Sequence, residues 1–127
     1  MPRYSKSDIQ ELKEFLYNSH VHDAKFESIK YDRKESALHM VIVNPISDVK
    51  MNLTFLNTAI VLATKGDWSE NRETILALVV EEDFSYLQNQ LLEHSEYRED
   101  SLYLLFQMFS GDELHIVSKE VMVEMVE

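Results

Sequence analysis

Seven or eight apolar runs of strand character, against two stretches at helical spacing, crowd into a chain of 127 residues. That ratio constrains the fold more than any other feature. The clearest run alternates, with Val49, Met51, Leu53 and Phe55 on one face and Lys50, Asn52 and Thr54 on the other, the pattern of a half-buried antiparallel strand. Before it, 25–31 and 38–43 read as a hairpin turning at Asp32-Arg33-Lys34-Glu35, and Asn44-Pro45 ends its second strand because proline removes a ladder donor. Residues 58–64 and 74–80 are apolar on both faces, which predicts central, covered strands, joined by a turn at Lys65-Gly66-Asp67 where Gly66 can supply positive φ. Residues 102–109 and 113–117 predict a hairpin around Ser110-Gly111-Asp112, and Val121, Val123 and Met125 a last strand.

The helical stretches are short. Ser7 and Gln10 stand as N-cap and N3 of a capping box, and Ile9, Leu12, Phe15 and Leu16 form a narrow stripe over 8–17 that stops at Asn18-Ser19. Asp83 can cap a second helix carrying Phe84, Leu87, Leu91 and Leu92, ended by the polar stretch 94–100. Two such helices cannot cover both faces of so many strands. The expected fold is therefore α+β: an N-terminal helix, a mostly antiparallel sheet of seven or eight strands curled into a sandwich or partial barrel, and one helix inserted before the last hairpin. A homodimer burying one sheet face is the alternative. The length suits one domain over 1–127.

Composition narrows the chemistry. With no cysteine there is no disulfide, thiolate metal site or cysteine nucleophile, and two glycines cannot build a phosphate-cradling loop. No run of about 18 apolar residues occurs and the first residues are polar, so a cytoplasmic chain is expected. The formal net charge of −11 opposes unaided binding to nucleic acid or anionic membrane. Its distribution is lopsided. Residues 1–64 carry eight basic and eight acidic side chains; residues 65–127 carry four basic against fifteen acidic and hold the entire excess. The clusters Glu81-Glu82-Asp83 and Glu93, Glu96, Glu99 and Asp100 are the candidate docking residues for a basic protein. Trp68, after the Gly66-Asp67 turn, is either an interface anchor or a lid on one end of the core.

Ligand chemistry has one dense candidate. His20, His22 and Asp23 could share a metal if the backbone is extended there, with His39, His94 or His115 as a third ligand. Against it stand the lack of a metallohydrolase signature and the simpler reading of a loop whose side chains bond local backbone groups. His39 and His115 sit beside apolar residues on strands and read as packed, hydrogen-bonded histidines. No nucleophile elbow and no catalytic carboxylate spacing occurs, so no catalytic residue and no cofactor is expected.

His22-Asp23-Ala24-Lys25-Phe26 followed by Ile29-Lys30-Tyr31-Asp32, with Leu53-Thr54-Phe55-Leu56-Asn57 and Trp68 further on, resembles small uncharacterised proteins of Gram-positive bacteria over roughly residues 20–82. Some of these are regarded as neighbours of secreted polymorphic toxins. The resemblance implies an immunity-like role and carries over no catalytic residue. The expected function is a non-enzymatic acidic protein-binding module neutralising a basic toxin, with the metal-binding or metal-dependent hydrolase reading of His20, His22 and Asp23 as the alternative.

Overall fold

The computed structural model describes residues 2–17, 19, 21–63, 74–90 and 101–126. The protein is α+β. In chain order its elements are β1 (Arg3–Ser5), a 3-10 turn (Lys6–Asp8), α1 (Ile9–Tyr17), β2 (Lys25–Asp32), β3 (Ala37–Asn44), β4 (Val49–Ala63), β5 (Ile75–Glu81), α2 (Ser85–Gln90), β6 (Leu102–Met108) and β7 (Glu113–Val126). Among the described residues seven antiparallel strands form one sheet in the order β2-β3-β4-β7-β6-β5, with β1 added beside β7.

The sheet curls until its two end strands meet. The Asp23 amide donates to the Ile75 carbonyl at 2.9 Å, the Ile75 amide donates to the Ala24 carbonyl at 2.8 Å, and Lys25 bridges Thr74. Between sandwich and barrel, the result is a partial barrel sealed at one end. Alternate residues point inward, as the strand period requires: Phe26, Met40, Leu53, Phe55, Leu104, Phe106, Ile116 and Val121 form one buried cluster with Leu12 and Leu16 of α1. Phe26 and Phe106 meet edge to face at 5.3 Å across the interior. Fully burying side chains of this size stabilises by about 1.5–3 kcal/mol each. The curl and α1 thus enclose the concave face within one copy of the chain.

Both faces of β6 are buried. Its outward residues Tyr103 and Leu105 join Val117 of β7 with Phe84 and Leu87 under α2, a second small core on the convex face, with Leu62 and Val79 at its margin.

Several expectations need correcting. The runs 49–55 and 58–64 are one strand, β4, and the run 113–117 continues through Met125 as β7. The polar interruptions that suggested breaks face each other: Thr58 pairs with Ser118 and Leu56 with Glu120, beside a register step between Thr58 and Ile60 and a positive φ of 52° at Asn57. They mark a bulge, which bends a pair of strands without ending it. The run 74–80 is not central. Among the described strands β5 pairs only with β6, at the sheet's edge, and its two-sided apolarity is met by α1 within the barrel and by the outer core. Nor is 58–64 covered on both faces, since β3 stops pairing at Phe55 and Val61 is exposed. β1 was invisible in sequence because it has three residues; it occupies the edge of β7 beyond the end of β6. The start of α1 also differs. An additional 3-10 turn moves the cap upstream, and the Asp8 carboxylate accepts the Ser5 amide at 3.0 Å and hydroxyl at 3.1 Å. Its end is as expected: Ser19 donates its amide and hydroxyl to the Leu16 carbonyl. The turn at Lys65-Gly66-Asp67 and the positions of Leu91 and Leu92 lie outside the described residues.

Candidate binding pocket at His115

The outer face of β5, β6 and β7 brings together residues far apart in sequence. Glu113 and His115 are two apart on β7 and therefore share a face. In the sheet, Leu105 lies opposite His115, Gln107 opposite Glu113 and Tyr103 opposite Glu81. Tyr103 is thus a diagonal neighbour of His115, within reach of a long side chain. α2 then lays Tyr86 over the imidazole, rings stacked at 4.8 Å and 16°. The outcome is a pocket of about 230 Å³ lined by Glu81, Asp83, Tyr86, Tyr103, Glu113 and His115, with Leu105 in its wall.

Protons in this pocket are fixed by burial. Tyr103 is 2% exposed, and its hydroxyl lies 2.6 Å from Nδ1 of His115, its one hydrogen-bond partner among the described residues. Desolvation, followed by the fields of Glu81, Glu113, Tyr86 and Asp83, pushes the phenol pKa well up, so Tyr103 keeps its proton. Desolvation pushes the His115 pKa down, against the opposing pull of Glu113, so the imidazole is neutral at neutral pH. Tyr103 therefore donates to Nδ1, and the ring proton resides on Nε2. That buried N–H has no acceptor in line. The Glu113 carboxylate is nearest, at 3.3 Å but off the N–H axis, close enough for charge–dipole attraction only.

The carboxylates are held by backbone. Glu81 Oε1 accepts the amides of Glu82 and Asp83, each at 3.0 Å. Asp83 Oδ1 accepts the Ser85 amide at 2.9 Å and the Ser85 hydroxyl, which tethers the start of α2 and holds the Asp83 pKa below the usual carboxylate range. Neither Glu81 nor Asp83 has a cation at ion-pair distance among the described residues.

Of the expected docking residues, Glu81 and Asp83 meet here, whereas Glu82 turns away to pair with Lys13 of α1 at 2.9 Å, a hydrogen bond that lowers its pKa. Glu93, Glu96, Glu99, Asp100 and Trp68 lie outside the described residues. Among the described residues, the carboxylates of 65–127 do not make one continuous face. Glu120 pairs with Arg3 at 3.7 Å, and it lies seven residues along β7 from Glu113, about 23 Å at strand rise. Glu113, Tyr86, Tyr103 and His115 were not read from sequence as a group. The available signal was the i, i+2 spacing of Glu113 and His115, usable only with the cross-strand register in hand.

Of the metal candidates, His22 and Asp23 lie together, and His94 lies outside the described residues. His20 lies outside the described residues. His22 donates Nδ1–H to the Leu76 carbonyl at 2.7 Å, and its Nε2 is 3.5 Å from Asp23. Asn44 holds the same turn by donating to the His22 carbonyl at 3.0 Å, and Asp23 takes a positive φ of 71°. His22 thus ties the turn into β2 to the start of β5, with a backbone group distant in the chain where the loop reading expected a local one. His39 is not near them: with Asp32 and Glu35 it forms a group whose possible ligand atoms lie within 4.8 Å of one another at the β2–β3 turn. Asp32 Oδ1 already accepts the Lys34 amide at 3.0 Å there, an ordinary turn contact. No helix among the described residues is long and apolar enough to cross a membrane.

No protein-family profile matches the chain, and no curated protein matches it.

Proposed function

We propose that this chain is a non-enzymatic acidic protein-binding module that docks a basic protein on the convex surface around His115. The observation that carries this reading is the convergence of Glu81, Asp83 and Glu113 on one small pocket beside the two-fifths-exposed Tyr86. Carboxylates held by backbone bonds lose little freedom when a cation arrives, which favours binding. Their negative field also steers a basic partner toward the surface. The resemblance to immunity-like proteins gives the role a biological form: neutralisation of a basic toxin in the cytoplasm, by covering the surface with which such a toxin holds its anionic target. Within the pocket His115 is neutral and bonded to a tyrosine that keeps its proton, so the charge it presents is that of its carboxylates.

A nonalysine peptide is a sufficient first probe. Its affinity should fall about tenfold or more between low salt and physiological ionic strength, and Glu81→Lys should abolish binding where Glu124→Lys, an exposed charge reversal at the far end of β7 from the pocket, leaves it within about twofold. Equal losses for the two variants would reduce the effect to net charge and end the proposal.

A further inference from the structure

The free edge of β5 is a second contact surface. We propose that it takes an extended segment of the partner as an added strand, apolar at alternate positions and basic at the end beside Glu81; only that basic end rests on the docking reading above. The seam shows how this edge pairs and where its pairing stops. Ile75 bonds through its amide to Ala24 and through its carbonyl to Asp23, and the His22 imidazole then donates to the Leu76 carbonyl in place of a backbone amide. From Ala77 to Val80 the outer edge has no partner among the described residues. Its polar groups can be placed from the register. The Met108 amide donates to Asp112, on the β7 side of β6, so Phe106 and Leu104 turn their backbone groups the same way. Leu78 and Val80 lie opposite Phe106 and Leu104, and therefore direct their amides and carbonyls away from β6. Ile75, opposite Met108, does the same toward the seam.

A groove of about 430 Å³ accompanies this edge, walled by Leu76, Leu78 and Val80 on one side and by Leu16, Tyr17 and Val21 on the other. Tyr17 and Leu76 are exposed, so apolar surface stands open beside unpaired backbone. Amides and carbonyls repeating at strand spacing are matched by another extended backbone, and the apolar walls by side chains at every second position. The opposite edge of the sheet is guarded against such pairing: β2 carries Lys25, Glu27, Lys30 and Asp32, with a register step between Phe26 and Ser28. β5 has neither charge nor proline from Ile75 to Val80, and its own register step precedes the unpaired stretch. Charge selects the occupant. β5 runs directly into Glu81 and Asp83 at the His115 pocket, so a segment along this edge delivers a basic end to the docking surface. The Lys13–Glu82 pair at that end is an exposed contact of little strength and yields to the segment. A second copy of the chain carries the same net charge of −11 and is disfavoured by repulsion.

The probe is an acetylated heptapeptide of alternating valine and threonine with a lysine at each end, titrated by NMR against the whole chain. It should bind with slowed hydrogen exchange at the Leu78 and Val80 amides and unchanged exchange along β2. Counterparts N-methylated at the valines or at the threonines test the backbone bonds, because a strand presents alternate amides to each edge. At least one of the two should bind about tenfold more weakly. Affinity that survives both methylations overturns the added strand, as does protection along β2 or no binding at all. Protection of Leu78 and Val80 on raising the protein concentration without peptide assigns the edge to a second copy and overturns the partner segment. Replacing both lysines by serine should weaken binding about twofold to fivefold with the exchange pattern kept; unchanged affinity overturns the basic end alone. A heptapeptide that binds where nonalysine does not brings down the docking reading and leaves the strand standing without its basic end.

Discussion

Tyr103 and His115 share a hydrogen bond of 2.6 Å between the phenol oxygen and Nδ1, across two adjacent strands of the outer face. The bond determines where both protons reside, and it makes the histidine tautomer a measurable consequence of the fold. Nitrogen-detected NMR of the imidazole should show a neutral ring at pH 7 with the proton on Nε2. Tyr103→Phe removes the donor, leaves Nδ1 buried without a partner, and should cost about 1–3 kcal/mol of stability. A ring protonated on Nδ1 in the parent protein would contradict the assignment.

The same pair sets a pH window for stability. His115 has a folded pKa below its reference of 6.5, so its contribution is complete above that pH and is lost as the pH falls toward the folded value, because the unfolded chain binds the proton first. Tyr103 has a folded pKa above its reference of 10.0, so its contribution is complete below pH 10.0 and declines as the pH rises beyond it. Each limb has a slope of at most about 1.4 kcal/mol per pH unit. Urea unfolding at graded pH should show the acid limb shallower in His115→Gln and the alkaline limb shallower in Tyr103→Phe. Unchanged limbs in the variants would remove the pair from the account.

Asn44 carries a structural load unusual for one side chain. It is buried, donates to the His22 carbonyl, and accepts the amides of Ile46 at 2.8 Å and Ser47 at 3.1 Å. Asn44→Ala should therefore destabilise by about 2–4 kcal/mol, since more than one buried or half-buried group loses its partner. Hydrogen exchange should localise the loss to the seam, with the Asp23 and Ile75 amides exchanging faster than those of β3 and β4. Uniform loss of protection would show that the seam is not a separate unit.

The two cores predict separable effects. Leu12 and Leu87 are both fully buried, Leu12 inside the barrel and Leu87 under α2. Each truncation to alanine should cost about 2–5 kcal/mol. At temperatures where both variants remain folded, Leu87→Ala should weaken binding of the nonalysine peptide because the start of α2 holds the Asp83 carboxylate, and Leu12→Ala should not. Calorimetry on the two variants side by side decides it.

How much of this could be read from sequence follows from the range of the interactions involved. The alternation at Val49–Phe55, the stripe of α1 and the proline break after Asn44 are local patterns, and each appears in the structure. What stayed hidden depends on partners distant in the chain. Asn57-Thr58 and Ser118-Lys119-Glu120 look like two separate breaks until the register sets them opposite each other as one bend. β5 looks central because apolarity on both faces does not distinguish cover by strands from cover by helices. The pocket draws Glu81, Tyr103 and His115 from three strands, so its composition was legible and its assembly was not. Among the described residues, Glu81 and Asp83 of the expected carboxylates line the pocket, whereas Glu82 pairs with Lys13.

Among the described strands β7 comes last but occupies the middle of the sheet, between β4 on one side and β6 and β1 on the other. During synthesis the β2–β3–β4 meander and the β5–β6 pair therefore emerge with no strand to join them, their inner faces wet and their edges open. Compaction must wait for that central strand, and pairings such as Arg3 with Met122 span almost the whole chain. Closing loops of this length before any reward is gained makes folding slow. A nascent chain stalled before β7 emerges is accordingly the species most exposed to aggregation and in most need of a chaperone.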